Sequence, residues 1–411
     1  MSTLAILSLL FATAAIFGLV SARWLRLPIT VGTMLLMVLV SSALILAATR
    51  DPGIHRWAAA LMQQIDFEKL ILHGMLPLLL FAGASLLDLD QLANEGFIVS
   101  LLSIAGTTFS FLLVSLLMHL LSGGRLPWMQ CFIFGALISP TDPIAVLEML
   151  RRTGIPRRIQ AQLAGESLFN DGIGAVLFIT MLAIARGNAP TPWYIGGLLI
   201  AQAGGAVLLG IGAAFVTSLL MRLLDSYKID ILFTIALAFG GYVLAGLLHL
   251  SAPLEAVVAG IALRAFNRRL PETCIAHEQI DRFWEVIDEI QNSVLFVLLG
   301  LEAMAVALDS VAIRSGISAI ISVNIVRLGV VALLLAIARI YRPERRSSLF
   351  VLTWGGLRGG LSIALALSVP EAFGRSWIVG ATYLVVVFSI VIQGGSMDWI
   401  LRTRKSRKLA A

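Results

Sequence analysis

Residues 165–171, GESLFND, place two carboxylates, a hydroxyl and an amide inside an apolar run of about helix length. Around an α-helix, which turns by about 100° per residue, these polar side chains fall at about 0°, 40°, 100° and 140°: Glu166, Asn170, Ser167 and Asp171. A polar face of this kind is costly in lipid unless it meets a partner or a wet cavity. Carboxylate and hydroxyl oxygens are ligands for hard cations, and a carboxylate also binds a proton. The segment therefore predicts a polar chamber on one side of a helix, suited to cations and protons.

Two other segments predict helices that are interrupted in mid-span. Residues 138–143, ISPTDP, contain two prolines that bracket Thr141 and Asp142, and proline removes a backbone donor and clashes with the preceding turn. Residues 355–362, GGLRGGLS, surround Arg358 with four glycines. Unwound backbone is tolerated in a bilayer only where it lines a cavity or packs on protein. We expect the two breaks to meet, with Asp142 and Arg358 neutralising the helix-dipole ends that face each other.

Two basic residues, Arg327 and Arg358, lie deep inside the predicted spans, away from the span ends and loops that hold the others. A lone arginine at mid-membrane costs roughly 2.5 to 3.5 kcal/mol, so each needs a carboxylate partner or a wet cavity. We assign Glu166 to Arg327 as a structural ion pair. This assignment leaves Asp171 without a basic partner of its own and favours a functional role for that carboxylate.

Packing explanations stay open for other members of these motifs. Ser167 and Asn170 also suit hydrogen bonds between helices, and the glycines of residues 355–360 also suit close helix packing. Cys131 and Cys274 lie in different segments without the spacing of a metal site, so we interpret them as small core residues.

The composition requires a membrane protein. Hydrophobic residues make up 59% of the chain and charged residues 13%, with a mean hydropathy of +0.94. The apolar runs predict an all-α polytopic protein with about thirteen transmembrane helices, near residues 3–22, 28–48, 70–87, 95–121, 127–150, 160–186, 193–223, 229–249, 252–265, 281–307, 314–340, 347–369 and 375–401. The fifth and twelfth spans carry the breaks and cross in opposite senses, which is typical of inverted repeats with two broken helices crossing near the bilayer midplane. We expect one transmembrane domain over residues 1–401, with its core around helices 127–150, 160–186 and 347–369, and a short basic cytoplasmic tail over residues 402–411.

Charge asymmetry between loops predicts the orientation. With the N-terminus outside and the C-terminus cytoplasmic, 21 of the 30 Lys and Arg residues lie in cytoplasmic loops. The first apolar run has no basic residue before it and is followed by Arg23 and Arg26, which predicts a retained span rather than a cleaved signal peptide. The net charge of +6 is thus an orientation signal, and the chain lacks the soluble basic face of a nucleic-acid-binding protein.

The three motifs, in this order on these spans, resemble the monovalent cation:proton antiporter-1 family. This family contains the bacterial NhaP-type Na⁺/H⁺ exchangers, which are related to animal sodium/hydrogen exchangers. The resemblance covers essentially the whole membrane domain and implies that Asn170 and Asp171 form the ion site. It also implies that Ser167 and Thr141 help to coordinate the transported cation, so that Asp171, Ser167 and Thr141 are its expected ligands.

The same resemblance assigns charge-compensating roles. Asp142, which we also include in the ion site, matches one member of the pair at the crossing of the broken helices, and Arg358 matches the other. Glu166 and Arg327 match a family ion pair between the sixth and eleventh spans, in agreement with the assignment from charge alone. The chain departs from the family in the third span, where many members carry an acidic residue soon after a Leu-Pro and this chain has Ala82.

The predicted function is secondary-active exchange of Na⁺ or Li⁺ for H⁺, with proton and cation competing for Asp171 and alternating access to the two sides. Because Asn170 cannot titrate, the exchange is expected to be electroneutral. The alternative within the class is K⁺/H⁺ exchange. More distant alternatives are an intramembrane aspartyl protease using Asp142 and Asp171, and a passive cation channel. We expect a homodimer in the lipid bilayer of a bacterial cytoplasmic (inner) membrane, with a role in pH homeostasis and sodium transport, without a resident cofactor or catalytic residues.

Overall fold

The computed structural model of the protein describes residues 3–25, 29–48, 69–143, 146–147, 150, 155–187, 192–224, 226–268, 274–303, 310–341 and 348–397. Every regular element in these ranges is helical. The predicted basic tail at residues 402–411 lies outside the described residues.

Fifteen α-helices have both ends within the described residues, and we number them in chain order. They are α1 (Thr3–Val20), α2 (Ile29–Ala48), α3 (Leu76–Ser85), α4 (Leu89–Ser100), α5 (Thr107–Leu121), α6 (Trp128–Ile138), α7 (Arg157–Ala185), α8 (Pro192–Met221), α9 (Tyr227–Leu247), α10 (Ala252–Asn267), α11 (Cys274–Ala303), α12 (Ser310–Tyr341), α13 (Ser348–Trp354), α14 (Gly360–Leu367) and α15 (Arg375–Phe388). Short π-helical turns continue several of them, at Ser21–Leu25, Leu70–Met75, Leu101–Gly106 and Ser389–Gly394, and a 3₁₀ turn at Glu371–Phe373 precedes α15.

The helices are those of an integral membrane protein. Within the described ranges, seven helical stretches are long and apolar enough to cross a bilayer: Leu7–Leu25, Leu89–Leu121, Arg157–Ala185, Ile200–Met221, Tyr227–Leu247, Ser310–Ala338 and Arg375–Met397. Large apolar side chains such as Leu19, Ile200 and Leu208 are among the most exposed, whereas Glu166, Arg327 and Arg358 are buried. This inverted distribution is expected where lipid rather than water covers the surface.

Two helices begin at least six residues earlier than the apolar runs predict. The span expected at 95–121 begins at Leu89, and the span expected at 281–307 begins at Cys274. Their first turns are polar on one face, so a hydropathy criterion starts too late. The start of α4 is fixed by Asp88, whose carboxylate accepts hydrogen bonds from the backbone N–H groups of Asp90 and Gln91.

Both predicted interruptions are present. Helix α6 ends at Ile138, and the described chain after it is non-helical through Pro143. The second break separates α13, which ends at Trp354, from α14, which begins at Gly360. Proline in the first break and glycine in the second explain why neither helix continues.

Two groups of helices, one around α10 and one around α7, meet where α7 packs against α10. Helix α10 lies among α3, α8 and α9, whereas α7 lies among α4, α6 and α10. Where α7 meets α10, a Cβ added at Gly172 would lie 3.3 Å from the Leu254 Cα atom. The absence of a side chain at Gly172 therefore lets the two helix backbones approach closely.

Candidate ion-binding site

The two helix breaks contact each other through one backbone hydrogen bond and one hydrogen bond from the Arg358 side chain. The Asp142 N–H donates to the Leu357 carbonyl at 2.8 Å, and the Arg358 Nη1 atom donates to the Pro140 carbonyl at 2.8 Å. Each break thus supplies partners for groups that the other leaves without helical hydrogen bonds. Arg358 lies buried at the end of one broken helix, where its positive charge meets exposed carbonyl dipoles.

A series of hydrogen bonds through polar side chains links the second break to α12. The Arg358 backbone N–H donates to Ser389 Oγ at 2.9 Å, and this hydroxyl donates to Gln393 Oε1 at 2.7 Å. The Gln393 amide nitrogen donates in turn to Asn324 Oδ1 on α12 at 2.8 Å. No sequence motif singles out these three residues, whose only signal is that they are polar within apolar spans.

Asn170 of α7 forms two hydrogen bonds with the first break. Its amide nitrogen donates to Thr141 Oγ1 at 2.8 Å, and its Oδ1 atom accepts the Thr141 backbone N–H at 3.2 Å. Both residues are buried. Close by, Gly174 leaves room for the Pro140 ring, whose Cδ atom would lie 2.8 Å from an added Cβ. The Asn170 amide therefore holds the unwound segment by two hydrogen bonds, and Gly174 leaves the space that the Pro140 ring occupies.

Glu166 and Arg327 form a buried bidentate ion pair. Nη2 of Arg327 lies 3.0 Å from Glu166 Oε2, and Nη1 bonds to Oε1. Nη2 also donates to the Leu352 carbonyl at 2.7 Å, near the end of α13. The guanidinium thus links α7, α12 and α13. A Cβ at Gly356 would lie 2.7 Å from Arg327 Nε, so this glycine in the second break leaves space for the arginine.

A cavity of about 300 Å³ reaches the remaining polar residues of α7. Ser167 and Asp171 line it, together with Asp142 from the first break. Asp171 is close enough to Asp142 and Arg358 to interact electrostatically with both. The opposite wall is α3, and the α11 carboxylates also line the cavity: Glu285, Asp288 and Glu289. The described lining of the cavity therefore contains five carboxylates, one from α7, one from the first break and three from α11, together with one hydroxyl.

The polar face of α7 is divided between two environments, which differs from the single polar chamber expected. Glu166 and Asn170 are turned into protein and are occupied by Arg327 and Thr141. Ser167 and Asp171, about 100° further round the helix, face the cavity. Thr141 and Asn170 are not among the described residues that line it.

Ala82 does not lie on the cavity wall. It is fully buried in an apolar cluster with Leu237 and Trp284, on the side of α3 that faces other helices. The neighbouring Gly83 lines the cavity, and an added Cβ there would meet Leu168 at an ordinary contact distance of 3.6 Å. The α3 wall is therefore apolar in this chain.

Comparison with known proteins places this architecture in a family. A family model described as "Sodium/hydrogen exchanger, transmembrane" matches residues 11–403. The chain is 36% identical over 401 residues to the Na⁺/H⁺ antiporter NhaP of Pseudomonas aeruginosa, covering 95% of this chain and 94% of that protein. It is 30% identical over 373 residues to the Na⁺/H⁺ antiporter NhaH of Halobacillus dabanensis, covering 89% and 91% of the two chains.

The fold has a counterpart among solved structures. The sodium proton antiporter MjNhaP1 from Methanocaldococcus jannaschii superimposes with a TM-score of 0.71 at 18% identity, over 98% of this chain and 99% of that one. At this identity the match shows the fold alone, and it agrees with the family match over nearly the same length. The chain therefore belongs to the sodium/hydrogen exchanger family of monovalent cation:proton antiporters.

Proposed function

We propose that this chain exchanges Na⁺ for H⁺ across a membrane, with both ions competing for Asp171. Members of its family are secondary transporters and not enzymes. The relatives that it matches over most of their length are named Na⁺/H⁺ antiporters, which favours Na⁺ over the K⁺ alternative. The observation that carries the proposal is the cavity that brings Ser167 and Asp142 to Asp171, the middle residue of α7.

The oxygen atoms around the cavity suit a hard monovalent cation. The Asp171 carboxylate and the Ser167 hydroxyl line it directly, and water and backbone oxygen at the Thr141 break would complete the shell. The mutual hydrogen bonds of Asn170 and Thr141 support a positioning role for the Asn170 amide. In this proposal, Asp142 and Arg358 balance charge where the broken helices meet.

Competition for a single carboxylate is sufficient to couple the two ions. If the protein reorients only when Asp171 is neutralised by a proton or a cation, one ion crosses for each ion of the other kind. Asn170 carries no charge in either state, and Glu166 stays paired with Arg327. The exchange is therefore electroneutral in this proposal.

We assign thirteen spans, an outside N-terminus and a cytoplasmic C-terminus to the membrane domain of residues 1–401. In this orientation, the end of α3 and the beginning of α11 face the cytoplasm, and the cavity is bordered by the end of α3 and the middle of α11. The described conformation would then be open to the cytoplasm. The core helices α6, α7, α13 and α14 would move against the remaining helices, which would also form a homodimer in a bacterial cytoplasmic membrane.

Proteoliposomes with a trapped pH dye test this function. Collapse of an imposed pH gradient is measured after adding Na⁺, Li⁺ or K⁺ separately, with the membrane voltage clamped or free. We expect Na⁺-dependent proton movement that is insensitive to voltage. A response to K⁺ alone would favour the K⁺/H⁺ alternative, and a voltage-driven cation current without proton movement would favour a channel.

Gly359 offers a test of the contact between the breaks. Its backbone is extended, with φ −121° and ψ −158°, but an added Cβ would lie 2.6 Å from the Asp142 Cβ atom and closer still to its carboxylate. We expect Gly359→Ala to displace Asp142 and to reduce the exchange rate by at least about tenfold, equivalent to about 1.4 kcal/mol. The rate is measured in the dye assay at equal reconstituted protein.

Gly96→Ala is the matched control, because an added Cβ at that position meets nothing within 4 Å. It should exchange at the wild-type rate. If Gly359→Ala did the same, close approach of the two breaks at this point would not be required for transport.

A further inference from the structure

Glu255 is a buried carboxylate that the exchange mechanism does not use. It lies in the first turn of α10 and is 0% exposed. Neither carboxylate oxygen has a hydrogen-bond partner among the described residues. It is also absent from the described lining of the ion cavity. A buried carboxylate without hydrogen-bond partners lowers the stability of the fold, so its presence indicates a functional role.

The depth of Glu255 matches that of the ion site. The preceding residue, Leu254, packs against Gly172, which follows Asp171 at the middle of the 29-residue helix α7. At about 1.5 Å per residue, this contact lies roughly 20 Å from either end of α7. Glu255 therefore occupies the level of Asp171, on the helix that packs against the ion-binding helix.

The surroundings of Glu255 are made of small residues. A Cβ added at Gly241 on α9 would lie 2.7 Å from Glu255 Cδ, so the carboxyl group lies directly against the α9 backbone. A Cβ at Gly210 on α8 would lie 2.9 Å from the Glu255 carbonyl oxygen. Gly241 leaves space for the carboxyl group and Gly210 leaves space for the α10 backbone, and neither glycine provides a charged or donor side chain.

No counter-charge faces Glu255 from the helices packed on α10. Helices α3 and α8 contain no Asp, Glu, Lys, Arg or His, and Tyr242 of α9 donates its hydroxyl to the Leu72 carbonyl. The charged groups of α9 are Lys228 and Asp230, near its other end, and the only other charged residue of α10 is Arg264, nine residues on. On α7, Glu166 is paired with Arg327, Asp171 faces the cavity, and Arg157 and Arg158 lie in the first turn.

We propose that Glu255 is a second proton-binding site and that it is neutral in the described conformation. Its bound proton allows α10 to stay packed against α9. An ionised carboxylate without hydrogen bonds or a counter-ion is too costly at this depth, so the acid form is the one that the packing accepts. On deprotonation the proton passes to water, and the carboxylate requires that water enter between α9 and α10. Helix α10 is then no longer held in one position, and its Leu254 contact with Gly172 of α7 is weakened.

The sign of the pH dependence follows from linkage. The packed arrangement binds the Glu255 proton and the hydrated arrangement releases it, so rising pH favours the unpacked form. Exchange should therefore fall at alkaline pH in part because Glu255 loses its proton. This part of the inference rests on the proposed exchange function, whereas the protonation of Glu255 does not.

Infrared difference spectroscopy of purified protein in nanodiscs tests the protonation directly. The wild type at neutral pH should show the carbonyl-stretch band of a protonated carboxylic acid that Glu255→Gln and Glu255→Met lack. Glu278→Gln is the matched control, because Glu278 is exposed and paired with Arg282, and it should leave this band unchanged. If neither Glu255 variant removed a band, Glu255 would be ionised and the proposal would be wrong.

The pH profile of exchange tests the consequence. Glu255→Gln keeps the shape of the neutral acid, so it should match the wild type at low pH and remain active to higher pH. We expect its alkaline midpoint to move up by at least about one pH unit, a tenfold change in apparent proton affinity, with Glu278→Gln unchanged. An unaltered profile beside a lost infrared band would overturn the coupling to transport. Absence of Na⁺-dependent proton flux in every protein, with the band intact, would instead refute the exchange function alone.

Discussion

Replacing Asp171 with asparagine is expected to abolish Na⁺-dependent proton movement in proteoliposomes while the protein stays folded. The asparagine has the same shape but neither releases a proton nor offers a negative charge to a cation. A loss of at least about a hundredfold, or about 2.7 kcal/mol, is consistent with removing a charged ligand from a partly buried site. The measurement is the initial rate of dye response at equal protein, with thermal unfolding as the test of folding.

Glu371→Gln is the matched control for the Asp171 variant. Glu371 is exposed at the 3₁₀ turn before α15 and lies 3.9 Å from Arg375, so its loss should change neither folding nor exchange. An Asp171→Asn protein that kept more than about a tenth of the wild-type rate, less than 1.4 kcal/mol of lost stabilisation, would show that another group binds the ions.

Arg327→Ala is expected to damage stability more than ion affinity. It leaves Glu166 as a buried carboxylate without its partner and removes the donor to the Leu352 carbonyl. Breaking a buried ion pair from one side typically costs about 3 to 5 kcal/mol. The midpoint of thermal unfolding in detergent should fall strongly, whereas the apparent Na⁺ affinity of whatever protein survives should change little, because Arg327 is not among the described residues lining the cavity.

The double variant Glu166→Leu with Arg327→Leu separates charge from packing. Removing both partners leaves no unpaired charge, so part of the stability lost in Arg327→Ala should return. A stable Arg327→Ala protein with only a weakened Na⁺ affinity would contradict the structural role and place the arginine in the ion site.

The parts of the site that the sequence predicts are those where few residues satisfy a strong physical demand. Charge is costly in lipid, and only two arginines lie deep inside the predicted spans, so the Glu166–Arg327 pair follows from a short list of candidates. Two prolines that bracket Thr141 and Asp142, and four glycines that surround Arg358, disfavour a continuous helix, so both breaks are predictable as well. Their mutual contact is expected from the repeat and is seen in the Asp142 hydrogen bond to Leu357.

Other parts of the site depend on helix rotation and on distant contacts, which sequence patterns do not encode. Glu166 and Ser167 are adjacent in sequence and about 100° apart around α7, yet one meets an arginine and the other a cavity. The links from Ser389 to Gln393 and Asn324 join two spans through single neutral side chains that have no characteristic spacing. For the same reason, the burial of Ala82 away from the cavity required the structure.

The most direct test of competition at Asp171 is proton release on Na⁺ binding, measured with a pH indicator in weakly buffered, detergent-purified protein. Near the midpoint of Asp171 protonation, we expect proton release that saturates with Na⁺ and is absent in Asp171→Asn. Under the same conditions Glu371→Gln should release as much as the wild type. Saturable Na⁺ binding without proton release, or equal release from Asp171→Asn, would contradict a single carboxylate shared by the two ions.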